Sequence, residues 1–381
     1  MRIAIDLSPA IHQKAGLGRY ARTLAEHLVA QDHANEYVAF AHGRFTADAL
    51  SPELRALPRA NVPLDARPWR MGVWLAHALG VSLDRALPRV DVFHATEHLL
   101  PPLKKAKTVF TLHDLIFRLF PEYHLPLNHW FLTNTMPHFL RRAGAIIAVS
   151  ECTKRDAITN YQLPPDKITV IYEGVNPALK PITDPGCIAE ARARYAKNLR
   201  FVLFLGTIEP RKNIPALLDA LQVLRGRGLP HRLLIAGRKG WLYHGVFEHV
   251  RRTGMETEVD FLDHVPDEDL PALFAACDAF VFPSLYEGFG LPPLEAMACG
   301  APVICSNTSS LPEVVGDAAL LVNPRDVGEI AGAIERVVRD TALKNELRVK
   351  GLAQAAKFSW ERAARETLSV YQRLFSTQVH R

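Results

Sequence analysis

Cysteine is scarce in this chain of 381 residues: there are five, Cys152, Cys187, Cys277, Cys299 and Cys305, with no C-x-x-C pair among them. An odd, scattered set indicates neither a disulfide framework nor a zinc site, so a reducing, cytosolic compartment is the expectation. Long apolar runs are missing too. None approaches the ~18 residues of a membrane span, and the opening MRIAIDLSPA, broken by Asp6, reads as a first strand rather than a signal peptide. There is no G-K-[ST], which excludes a Walker loop, and no H-E-x-x-H or G-x-S-x-G. Charge is nearly balanced. A net +5 comes without the concentrated basic stripe of a nucleic-acid binder, so no nucleic acid is expected as partner. The slight basic bias suits nucleotide phosphates or an acidic membrane face.

What is present is a repeated alternation. With 48% hydrophobic and 22% charged residues, the composition is that of a globular enzyme, and the length exceeds one typical core. Continuous apolar runs occur at 2–7, 36–41, 90–95, 108–114, 145–150 and 168–174, separated by helical periodicity. Such runs mark strands buried on both faces of a parallel sheet. The stretch EGVNPALKPITDPG (173–186) then reads as a linker. A second set follows at 201–206, 232–237, 259–264, 279–284, 302–306 and 318–323. The expected fold class is therefore α/β, with two Rossmann-like, doubly wound parallel-sheet domains, 1–175 and 185–358, facing a central cleft. Residues 359–381 are expected to form a last helix, capped by Ser359, that packs back on the first domain.

Five stretches carry candidate chemistry. YEGFGLPPLEAMACG (286–300) sets Glu287 and Glu295 around a glycine-bearing turn that leads into a helix. A helix N-terminus lowers a nearby carboxylate's pKa, whereas a glycosidase-type acid needs it raised, which weakens a paired acid–base reading. Two readings stay open: ionised glutamates gripping vicinal hydroxyls of a ribose or hexose, or a helix start with two solvated charges. Gly288 and Gly290 would let backbone amides approach a ligand. FLGTIEPRKNI (204–214) ends a strand at Gly206 and sets Arg211 and Lys212 before Asn213, a candidate N-cap. These cations suit a phosphate or ordinary surface charge. SPAIHQKAGLGRYARTL (8–24) puts Gly16 and Gly18 between the first strand and a helix, but the third position of G-x-G-x-x-G is Ala21. TLHDL (111–115) sets His113 and Asp114 at a strand's carboxyl end, towards the cleft, with a satisfied core histidine as the alternative. HWFLTNTMPHFLRR (129–142) reads as a core-facing helix with a charged end, or as a membrane-docking surface.

The order of GLGRY, HD, VSE, GTIEPRKN, FLDHVPDEDLPALFAACDAFVFPSLYEGFGLPPLEAMACGAPVI and LPEVVGDAALLVNPRD resembles the retaining glycosyltransferases of family 4. The similarity runs along essentially the whole chain, and the E-x7-E segment is its most specific part. It implies the GT-B fold and a nucleotide-diphosphate sugar as substrate, with no cofactor and no metal. By position it implies that Glu295 bonds the donor ribose and Glu287 the hydroxyls of the transferred sugar. The amides of Gly288, Phe289, Gly290 and Leu291 would hold the sugar and its phosphate. Lys212, with Arg211, would neutralise the leaving diphosphate beside Gly206 and Thr207. His113 would meet the sugar from the first domain, beside Gly16, Gly18 and Asp114. Retention would proceed by front-face attack, the leaving phosphate oxygen taking the acceptor's proton. Two positions depart from the pattern: Thr207 stands where many members carry an arginine, and Ser309-Ser310 replaces a Gly-Gly pair. These variants resemble bacterial mannosyltransferases of surface-polysaccharide and lipopolysaccharide assembly. GDP-mannose is thus the favoured donor, with UDP-hexoses the alternative, and the acceptor is a glycan or lipid-linked. The expected place is the cytoplasm, with peripheral contact at the inner membrane. A nucleotide-sugar epimerase on the same scaffold and a non-enzymatic sugar-nucleotide binding module are the competing functions.

Overall fold

The computed structural model describes residues 1–12, 15–87 and 89–376. Gln13 and Lys14 of the glycine-bearing stretch, and 377–381 of the expected last segment, lie outside the described residues. Two compact units result: Met1–Gly174 together with the chain from Ser359 on, and Val175–Phe358.

The first unit holds, in chain order, β1 (Arg2–Asp6), β2 (Glu36–His42), β3 (Arg59–Val62), β4 (Val92–Ala95), β5 (Lys107–Leu112), β6 (Ala145–Ala148) and β7 (Ile168–Val170). They form one parallel sheet in the order β3-β2-β1-β4-β5-β6-β7. The second holds β8 (Phe201–Leu205), β9 (Arg232–Ala236), β10 (Val259–Asp263), β11 (Ala279–Phe282), β12 (Val303–Ser306) and β13 (Ala319–Val322), parallel and ordered β10-β9-β8-β11-β12-β13. Each continuous apolar run of the sequence is one of these strands. β3 escaped that reading because it is an edge strand: Arg59 and Asn61 are exposed, and only Val62 is buried.

Local chemistry sets the helix ends. Ser150 accepts from the Thr153 amide at 3.0 Å, capping Glu151–Tyr161, and Ser359 accepts from the Arg362 amide at 3.2 Å at the start of Trp360–Ser376. This last helix buries Trp360, Ala363, Ala364, Thr367, Val370 and Tyr371, one stripe at helical spacing. The stripe lies on helix Ala15–Gln31 and the sheet: the Trp360 and Tyr20 rings are 5.8 Å apart, and Tyr371 Oη is 2.6 Å from His94 Nδ1.

Two expectations need correction here. Gly16 and Gly18 are not a loop ahead of a helix; both fall in the first turn of Ala15–Gln31, which follows a short helix, Ser8–Ile11. A Cβ on Gly18 would sit 2.7 Å from the Pro9 carbonyl oxygen, so the close approach that needs glycine is to the protein's own backbone. Likewise 173–186 is not all linker. Glu173 is buried in the first unit, and a helix starts at Pro185.

At the amino ends of the second sheet an ionic knot ties four segments. Asp278, just before β11, meets Arg200 at 3.0 Å, Lys344 at 2.5 Å and His231 Nε2 at 3.3 Å. No described helix is long and apolar enough to cross a membrane.

Candidate active site

Open parallel sheets take ligands outside the carboxyl ends of their strands, where the strand order reverses. In the second unit that point lies between β8 and β11. After β8 the chain passes Gly206 and Thr207 into a single 3-10 turn, Pro210–Lys212; after β11 a loop runs to Gly290 and helix Leu291–Ala298. A backbone and a side-chain bond join the two segments. The Leu285 amide donates to the Arg211 carbonyl at 2.9 Å, and Arg211 Nη1 donates to the Tyr286 carbonyl at 2.9 Å. Asn213 does not cap the following helix with its side chain. It sits at φ 55, and its side-chain amide donates to the carbonyls of Pro283 (3.1 Å) and Pro324 (2.7 Å), linking three loops.

The motif residues meet in one buried cluster. Glu287 Oε1 accepts from Lys212 Nζ at 2.7 Å and its Oε2 from Arg211 Nη1 at 2.5 Å, while Arg211 Nη2 reaches Glu209 Oε1 at 2.5 Å. Two carboxylates thus face two cations. Burial alone would raise the Glu287 pKa, but Arg211 and Lys212 outweigh it and hold the carboxyl at about 2. Lys212 is lowered by its own burial and by Arg211 beside it. Its ammonium also lies 4.8 Å from the Phe282 ring centroid. Glu209, 2% exposed, belongs to this site although no motif singled it out. Its one sequence signal is its place directly before Pro-Arg-Lys.

Glu295 is 2% exposed and Glu287 7%, so the solvated-charge reading fails for both. Glu295 stands in the second turn of Leu291–Ala298, with Pro292 and Pro293 ahead of it where the missing N–H groups go unneeded. Gly290 starts that helix at φ +116, and a Cβ there would meet Leu311 Cδ2 at 2.7 Å. The glycine is required by the turn itself. Phe289 is buried edge-on to Phe358, ring centroids 5.8 Å apart.

The Ser309-Ser310 pair has a clear task. Ser309, at φ 56, accepts the Glu287 amide on its hydroxyl at 2.9 Å, and Ser310 Oγ lies 3.0 and 2.5 Å from the carbonyl oxygens of Glu287 and Phe289. A glycine pair would leave that loop without these bonds. Ser310→Ala is expected to cost about 1–3 kcal/mol, read as a drop in melting temperature of about 2–4 °C per kcal/mol. An unshifted melt would mean the hydroxyl holds nothing.

In the first unit the reversal lies between β1 and β4. There the strand ends carry a polar cluster that the motifs only partly announced. Asp6, closing β1, is buried, and that burial together with the Glu97 charge pushes its carboxyl up to about 6. His42, closing β2, has Nε2 3.7 Å from Glu97 Oε1. His113 follows β5 and is buried; its Nε2–H donates to the Thr96 carbonyl at 2.9 Å, and Nδ1 faces Glu173 Oε1 at 3.7 Å. Its backbone amide donates to His98 Nε2 at 3.2 Å, and burial lowers His98 to about 4. Asp114 accepts the Ile116 amide at 3.1 Å and so starts the next helix. The available signal was simple: polar residues at the carboxyl ends of buried strands.

Two parallel sheets, each with polar side chains gathered where its strand order reverses, have the architecture of the GT-B fold. Comparison with known proteins gives the family. Residues 15–179 match "Glycosyltransferase Family 4" and 189–354 match "Glycosyl transferases group 1". The O-antigen chain mannosyltransferase B of Escherichia coli is 33% identical over 98% of this chain and 100% of its own. The serotype-specific mannosyltransferase WbdA of Escherichia coli is 36% identical over 71% of this chain but only 34% of its own length. Among solved structures, Anabaena HepE in complex with UDP and glucose superposes with a TM-score of 0.73 at 22% identity, covering 98% of this chain and 99% of that one. The chain belongs to the family 4, group 1 glycosyltransferases, and it is a sugar-transferring enzyme.

Proposed function

We propose that the enzyme moves mannose from GDP-mannose onto a glycan or lipid-linked acceptor in surface-polysaccharide assembly, with retention at the anomeric carbon. The observation that carries the donor site is the buried Glu209–Arg211–Lys212–Glu287 cluster at the β8/β11 reversal. Mannose is supported by the full-length likeness to an O-antigen mannosyltransferase.

In this reading Arg211 and Lys212 exchange Glu287 oxygens for diphosphate oxygens when the donor arrives. They neutralise the departing diphosphate with side-chain charge, so no metal is needed. Glu287, freed, accepts the sugar's hydroxyls, and Glu295 accepts those of the ribose. The amides of Gly288 to Leu291 hold the sugar and its phosphate. The leaving phosphate oxygen takes the acceptor's proton, so the protein's work is electrostatic stabilisation and orientation. His113, with Glu173 and His98 beside it, is assigned to the acceptor side of the first unit.

Titration calorimetry with GDP-mannose tests the site. Lys212→Met is expected to weaken binding about 30-fold or more, and Glu295→Gln about tenfold. Wild-type affinity in both variants would remove these residues from the donor site. A thermal-shift panel of GDP-, UDP- and ADP-sugars decides the base, since a bound donor stabilises by mass action. Stabilisation by a UDP-hexose but not by GDP-mannose would overturn the donor assignment, and a β-anomeric product in NMR would overturn retention.

A further inference from the structure

One carboxylate of the buried four-charge cluster has no task in the donor site as proposed. Glu209 is 2% exposed and meets Arg211 through a single oxygen: Oε1 accepts from Nη2 at 2.5 Å, while Oε2 is buried with no hydrogen-bond partner among the described residues. An arginine and a carboxylate that serve only to neutralise one another favour a two-oxygen fork, and leaving a buried acceptor orphaned is destabilising. Here the fork is split instead. Nη1 donates to Glu287 Oε2 at 2.5 Å and to the Tyr286 carbonyl at 2.9 Å, so two carboxylates share one guanidinium, one nitrogen each.

Charge explains the split. Arg211 and Lys212 against Glu209 and Glu287 sum to zero, and a neutral cluster has no net attraction for a diphosphate. One carboxylate must withdraw for the anion to be held. If both did, the guanidinium would lose the anions that aim it. The backbone tells the two apart. The β8–β9 ladder runs on past the strand ends, with the Gly206 amide donating to the Ala236 carbonyl at 2.9 Å, the Ile208 amide to the Arg238 carbonyl at 3.0 Å and the Gly240 amide to the Ile208 carbonyl at 3.0 Å. Glu209 comes next, extended at φ −151 and ψ 159, and its carbonyl accepts the Lys212 amide at 3.1 Å. It therefore stands on the sheet and starts the turn that carries both cations. Glu287 reaches them from a separate loop, 75 and 76 positions along. We propose that Glu209 is a positioning residue for sugar transfer: it keeps Arg211 Nη2 when Glu287 turns to the sugar, so that Nη1 meets the departing diphosphate from a fixed direction. This role presupposes the donor site proposed above and gives Glu209 and Glu287 opposite tasks, one staying and one leaving. A carboxylate that stays also repels the diphosphate, so ground-state binding is weakened while the transition state keeps its aim.

Affinity should therefore follow the charge of this side chain, and rate its hydrogen bond. Glu209→Ala and Glu209→Gln are each expected to bind GDP about threefold or more tighter than the wild type in titration calorimetry, with UDP as a second probe. Single-turnover cleavage of GDP-mannose, with water as acceptor and mannose and GDP as products, keeps slow product release out of the measured rate. Glu209→Ala is expected to slow it about 30-fold. Glu209→Gln, whose amide oxygen still accepts from Nη2, should recover most of that loss, to within about fivefold of the wild type. A residue that merely supports the fold would slow both variants and weaken both affinities, and that result would overturn the role. So would a wild-type rate in Glu209→Ala, or a glutamine variant as slow as the alanine one. Lys212→Met separates this role from the site itself. Weakened diphosphate affinity there, together with any of those results, removes Glu209 alone; wild-type affinity for GDP and UDP in Lys212→Met removes the donor site along with it.

Discussion

Glu287→Gln is expected to lower kcat/KM for sugar transfer by about 10²–10³ while the fold persists. Glutamine keeps the shape of the side chain and one hydrogen bond to Lys212, but it removes the charge that Arg211 and Lys212 share. Two cations then crowd one another with one carboxylate fewer beside them, Glu209 still pairing Arg211, and the sugar loses an ionised acceptor. A double-mutant cycle with Lys212→Met should reveal a coupling of about 1–3 kcal/mol, because the two side chains act as a unit. The pH profile separates this role from acid catalysis. With its pKa held at about 2, Glu287 is ionised throughout the working range and contributes no limb to the rate profile above about pH 4. A general acid would lose activity as pH rose through a raised pKa. Wild-type turnover in Glu287→Gln, or an acid limb that the substitution abolishes, would sink the assignment.

Asp278→Ala is expected to destabilise the second unit by about 3 kcal/mol or more, among the largest single-residue effects in the chain. Removing the carboxylate strands Lys344 and His231, both largely buried, with Arg200 beside them. Burial would raise the Asp278 pKa, but bonds from His231, Arg200 and Lys344 overcome it and depress the carboxyl far below the ordinary range. The sign follows. A depressed carboxylate contributes stability that is complete above its unfolded pKa, about 3.9, and is lost as pH falls below that. The wild type should therefore lose stability in acid more steeply than Asp278→Asn. Urea midpoints measured from pH 7 down to pH 3 check this; a loss under 1 kcal/mol at pH 7 would show the knot to be ornamental.

Most of the architecture was legible because parallel strands buried on both faces leave unbroken apolar runs. Edge strand β3 was not, since Arg-Ala-Asn-Val spends half its side chains in solvent. The two glutamates were legible as a pair, yet their burial was not. What neutralises Glu287 comes from residues 75 and 76 positions away, and no local pattern encodes that distance. Arg211 and Lys212 read as phosphate ligands; the structure shows them already engaged with carboxylates. The closeness that Gly18 answers was hidden for a related reason. A glycine is demanded by whatever comes close, and for Gly18 that is the Pro9 carbonyl. Asp6, His42 and Glu97 escaped because single polar residues at strand ends form no motif until the sheet aligns them.

The last helix has a consequence for synthesis. Trp360 and Tyr371 complete the packing of a unit whose other parts end at Gly174, so roughly 180 residues must leave the ribosome in between. At ~5–20 residues per second that is a wait of roughly 10–40 s. During it the stripe of Ala15–Gln31 and the ring of His94 lack their cover. The second unit, contiguous in sequence, has no such wait. The half of the molecule that is started first is finished last.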